Sequence, residues 1–66
     1  MIRYHFLVEH PFGPFIGIVE TERASCAAAE AIARHEWGTR AKFKQLTARD
    51  LVNAEEFGLR TLTVKG

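Results

Sequence analysis

Residues 2–10, IRYHFLVEH, alternate imperfectly between apolar and polar positions and are rich in β-formers, a pattern that predicts a strand. The run PFGP at 11–14 breaks it, because two prolines around a glycine do not fit inside a ladder, and a four-residue hairpin loop is expected there. FIGIVETE at 15–22 reads as the returning strand. From Ser25 the pattern changes to the Ala-rich SCAAAEAIARHEW, a helix with Ser25 as N-cap and Gly38 just past its end. Cys26, Ala29, Ala33 and Trp37, with Ile32 beside them, share one helical stripe. RAKFKQL at 40–46 reads as a third strand, at an edge because Lys42 and Lys44 discourage further pairing. Thr47-Ala48-Arg49-Asp50 is a variant capping box that opens a short helical turn over 48–54, and LRTLTVK at 59–65 is a last strand. The order ββαβ(α)β predicts an α+β fold: one domain over residues 1–66, a small antiparallel sheet with one main helix packed on one face.

A four-residue loop places His10 opposite Phe15. One face of the hairpin then pairs Tyr4 with Thr21, Phe6 with Val19 and Val8 with Gly17. The other face pairs Arg3 with Glu22, His5 with Glu20, Leu7 with Ile18 and Glu9 with Ile16. The charged pairs mark that second face as solvated and leave the first for the helix. The expected core is therefore Tyr4, Phe6, Val8, Val19, Ile32 and Trp37, with Ala29 and Ala33. Leu7, Ile16 and Ile18 cluster on the second face. Either the 48–57 segment, with Leu51, Val52 and Phe57, covers them, or they form an apolar patch that meets a partner or a second copy of the chain.

Composition changes this picture little. The chain has 66 residues, 47% of them apolar, and a net charge of +1, the balance of a folded domain rather than a disordered one. No apolar run approaches the roughly 20 residues of a membrane span, and no signal peptide is evident at the start, so no membrane association is expected. A single cysteine forbids an internal disulfide and suits a reducing, cytoplasmic setting. The distribution of charge says more than its total. Residues 1–33 sum to −2, residues 34–49 to +4 through Arg34, Arg40, Lys42, Lys44 and Arg49 against Glu36, and residues 50–66 to −1.

Candidate chemistry is sparse. His5 and His10 project to opposite faces of one strand, and Cys26 and His35 to opposite sides of one helix, so no metal or other cofactor is expected. His5 beside Glu20 has no nucleophile near it, and there is no Gly-rich phosphate loop, so no catalytic activity is expected. The basic segment 34–49, with Trp37 and Phe43, could contact phosphates, and a nucleic-acid-binding role is one alternative. Phe12, on a proline-stiffened tip, either enters a partner's groove or folds back onto the hairpin.

The strand Gly17-Ile18-Val19-Glu20-Thr21, followed by Ser25 and an Ala-rich helix ending at Gly38, resembles a recurrent segment of small bacterial and phage proteins. In those a G-x-V-E-A strand leads through a Ser cap into a helix with buried alanines. Thr21 stands here for the usual Ala, and Cys26-Ala27-Ala28 for a Glu-rich first turn. The likeness spans residues 15–38. It reports a fold element more than a function. Short single-domain phage and mobile-element accessory proteins, anti-CRISPR and other anti-defence inhibitors included, resemble the chain in size, lone-domain build and lack of a catalytic motif. That resemblance implies a non-catalytic, protein-binding module acting on a host protein or complex. On this reading the partner-binding residues are Leu7, Phe12, Ile16 and Ile18, with Arg40, Lys42 and Lys44 steering an acidic partner. A homo-oligomeric structural subunit is the other alternative.

Overall fold

A computed structural model describes residues 1–66. The strands are β1 (Ile2–His10), β2 (Gly13–Thr21), β3 (Lys42–Gln45) and β4 (Thr61–Lys65), and the helices are α1 (Cys26–Trp37) and α2 (Ala48–Glu56). The fold is α+β, in the expected chain order. The four strands form one sheet in the order β3-β1-β2-β4. β1 pairs antiparallel with both β2 and β3, but β4 lies parallel to β2, so the sheet is mixed rather than antiparallel throughout. The cause is the connection. The chain leaves β3 at one edge, crosses the sheet through α2 and returns at the other edge in the direction of β2.

The hairpin loop is two residues, Pro11 and Phe12, not four, with His10 opposite Gly13. Proline fixes a negative φ at the first loop position, which bars the mirror-image turns that usually close such loops. Gly13, at φ 124°, supplies the positive φ instead. Pro14 stands inside β2 without harm. The N–H of Ile16 points to β4, donating to the Arg60 carbonyl at 2.7 Å, and by the two-residue period Pro14 nitrogen points the same way. β4 begins only at Thr61, opposite Ile16, so no acceptor awaits the missing donor.

The register is thus offset by two residues, and an even offset leaves every side chain on its expected face. Phe6, Val8, Phe15, Val19, Ala29, Ala33 and Ala41 form the buried core under α1. Tyr4, Ile32 and Trp37, expected in that core, are half-buried against it. The Ser25 hydroxyl accepts from Ala28 N–H at 3.2 Å, and Gly38 N–H closes the helix on the Arg34 carbonyl at 2.9 Å. With alanine at 29 and 33, α1 lies close to the sheet, and Trp37 at its end covers Gly17. A Cβ at Gly17 would lie 2.6 Å from Trp37 Cζ3 and 3.0 Å from Val8 Cγ2. Gly17→Ala should therefore cost about 1–3 kcal/mol by overpacking. Urea unfolding followed by Trp37 fluorescence checks this, with the emission shifted to the red as the ring is pushed outward.

The second face is covered where α2 crosses it. Thr47 caps that helix, its hydroxyl accepting from Asp50 N–H at 3.2 Å. Ala54 is buried, and Leu46, Ala54 and Leu59 border Leu7. Ile16 is 0% exposed, and Leu7 and Ile18 are half-buried. The open apolar patch at Leu7, Ile16 and Ile18 is thereby corrected to a second, smaller layer of packing. Of the three residues offered as the cover, Leu51 is half-buried, whereas Val52 and Phe57 are exposed.

Candidate functional site

The end of the molecule at the β1–β2 turn brings together three of the residues singled out from the sequence. Phe12 is 93% exposed, so its ring has not folded back onto the sheet. It is nevertheless held. Phe12 N–H donates to His10 Nδ1 at 3.1 Å, and the two rings stack with centroids 5.2 Å apart and planes 21° from parallel. That hydrogen bond uses Nδ1 as an acceptor, and in the neutral ring the proton is then on Nε2. His10 in turn lies 6.2 Å from the ring of Phe15, which meets Trp37 edge-on at 5.4 Å. A chain of four rings therefore runs from the exposed tip into the core.

Basic side chains flank this chain. Arg40 and Lys42 border a cleft of about 430 Å³ with Glu9, His10 and Pro14, all at the turn end of the sheet. A second cleft of about 440 Å³, between the tip and the end of α1, is lined by His10, Phe12, Trp37, Thr39 and Arg40. Arg40 belongs to both and stands between the aromatic and the charged side of the tip. Both clefts are open and shallow, which suits a macromolecular surface better than an enclosed small-molecule pocket.

The other expected site residues lie elsewhere. Lys44 sits further along β3, opposite Leu7, and borders the depression beneath α2. Ile16 is sealed in the second layer, and Ile18 faces His5 across the ladder. The offset register also replaces the expected His5–Glu20 pair. Arg3 faces Glu20, with Nε 3.5 Å from a carboxylate oxygen. Arg34, counted with the basic segment, is occupied by Glu30 at 3.3 Å and by the ring of Phe43, 5.0 Å beneath its guanidinium. Arg40, Lys42, Lys44 and Arg49 make no ion pair, and of these only Arg40 and Lys42 border the tip.

His10 and Trp37 join the site; sequence reasoning weighed His10 as a metal ligand and placed Trp37 both in the core and beside the basic segment. An aromatic two residues before a loop Phe, and another ending the helix that packs over the same hairpin, were the signals available. Cys26 Sγ donates to Gln45 Oε1 at 3.0 Å, tying α1 to β3. No three His, Cys, Asp or Glu side chains converge as a metal site would need, and no helix is long and apolar enough to cross a membrane. Comparison with known proteins finds no family model, no curated protein and no solved structure that matches this chain.

Proposed function

We propose that the protein is a non-catalytic protein-binding module that docks a host protein or complex through its hairpin tip, in the manner of a phage-type inhibitor or modulator. One observation carries this reading: Phe12 is almost fully exposed, yet pinned by Pro11, by the His10 hydrogen bond and by ring stacking. An unanchored phenyl ring in water gains nothing for the fold, whereas a pre-ordered one enters a partner's pocket at little entropic cost. Arg40 and Lys42 beside it give the anchor a basic rim, which suits an acidic partner surface and speeds encounter. The inhibitor class rests on the resemblance to short single-domain phage and mobile-element proteins that lack a catalytic motif, and the cytoplasmic setting is supported by the lone Cys26.

A second reading rests on Trp37 and Phe12 bordering one cleft with Arg40. Aromatic faces beside a cation are what unpaired bases stack on, so a single nucleic-acid strand is the alternative ligand.

Capture of the partner from host lysate tests both, with Phe12→Ala and the double variant Arg40→Glu, Lys42→Glu beside the wild type. On the protein-docking reading Phe12→Ala weakens the captured complex by about 30-fold or more without changing thermal stability. The charge variant instead slows association at low salt. Partner binding indifferent to Phe12→Ala removes the tip from the interface. Anisotropy with a fluorescent single-stranded oligonucleotide separates the second reading, which requires binding that falls steeply with salt and is lost in the charge variant.

A further inference from the structure

The two edges of the sheet are unequal. β3 carries Lys42 and Lys44, the charges that discourage further strand pairing. β4 reads Thr-Leu-Thr-Val-Lys, with no charge until its last residue, and its outer side is covered by no strand. Its unused hydrogen-bonding groups are fixed by the inner side. Ile16 N–H donates to the Arg60 carbonyl at 2.7 Å, and Gly66 N–H donates to the Glu20 carbonyl at 2.9 Å. In this parallel ladder the main-chain groups of Arg60, Leu62, Val64 and Gly66 therefore face β2. Those of Thr61, Thr63 and Lys65 face outward without a strand partner.

We propose that β4 pairs antiparallel with β4 of a second copy about a twofold axis at Thr63, making one continuous eight-stranded sheet. Thr63 then opposes Thr63 of the second copy, and Thr61 opposes its Lys65. All of these are outward-facing residues, and each pair exchanges both its N–H···O bonds. The same register sets Leu62 opposite Val64 of the second copy. Both belong to the α1 face, since Leu62 lies beside Gly17 and Val64 beside Val19. There a groove of about 400 Å³ runs between α1 and β4, lined on its apolar side by Ala28, Ala31, Ile32 and Val64. Leu62 of the second copy arrives at Val64 and so at the mouth of this groove. Leu62 is 39% exposed in the single chain and gains a partner surface there.

A second copy is compatible with this edge in both charge and apolar match. In this register Lys65 meets Thr61 and Arg60 meets Gly66, so no two like charges oppose each other. Each apolar residue of the edge finds an apolar one across the axis. The pairing goes beyond the docking reading above and does not rest on it. The antiparallel axis sends the two hairpin tips to opposite ends of the sheet, leaving both free.

Sedimentation equilibrium from micromolar to millimolar concentration, with amide hydrogen exchange on the same wild-type samples, tests the pairing. The expected result is a dimer in which the amides of Thr61, Thr63 and Lys65 become protected as concentration rises. Thr63→Lys, at an exposed position, places two like charges face to face and should weaken association by at least about tenfold. A chain monomeric throughout the range overturns the proposal. So does a dimer whose three outward amides exchange freely, since it must use another face. The amide readout needs no variant, so it decides the matter even if Thr63→Lys folds poorly.

Discussion

Phe6→Ala is expected to unfold the protein. Phe6 is fully buried at the centre of β1, opposite Gly17 on one side and Gln45 on the other. Truncating a buried phenylalanine costs about 3–5 kcal/mol, from lost transfer free energy plus the cavity left behind. A core in a chain this short supplies roughly 3–5 kcal/mol in all, so the two nearly cancel. The cavity has little means to close. The helix residues over this face, Ala29 and Ala33, carry only a methyl group with no rotamer to swing inward, and the facing strand position is glycine. Far-UV circular dichroism with urea titration of the purified variant checks the expectation. A cooperative transition within about 1 kcal/mol of wild type would place Phe6 outside the core and reverse the two faces of the sheet.

That core was legible because its signals were local or followed from parity. The Ser25 cap, the alanines and Gly38 bound α1 without reference to the rest of the chain. Side-chain alternation assigned Phe6, Val8 and Val19 to the helix face, and an error of two residues in the loop left that assignment intact. Three features lay beyond local reading. Pro14 looks like a loop residue until β4 is known to begin at Thr61, beyond its reach. The parallel placement of β4 depends on where α2 crosses, and α2 is positioned by Leu46, Ala54 and Leu59, each unremarkable in sequence. At the tip, Phe12, Arg40 and Lys42 were readable as an aromatic on a stiff turn and charges on an edge. The stacking of His10 under Phe12 appears only once the loop is two residues long. The same offset turned the expected His5–Glu20 pair into Arg3–Glu20.

Ile16→Asp and Ile18→Asp, two residues apart on one face of β2, are expected to part company. Ile16 is 0% exposed, with its N–H bonded to the Arg60 carbonyl just before β4. An aspartate there gives up about 1.5–3 kcal/mol of apolar burial. It also places a carboxylate where its neighbours across the ladders, Leu7 and Thr61, offer no positive charge. An unpaired buried charge costs about 3–5 kcal/mol more, so the variant should be unfolded or lose α2 and β4 together. Ile18 is half-buried beside Thr63 and opposite His5, where water and the imidazole can solvate a carboxylate. Ile18→Asp should stay folded at a cost of about 1–2 kcal/mol. Hydrogen exchange resolves the two cases, since the amides that depend on α2 should open first in Ile16→Asp. Equal tolerance of both substitutions would mean that α2 does not seal the second face, and that Leu7, Ile16 and Ile18 form the apolar surface suggested by the alternation alone.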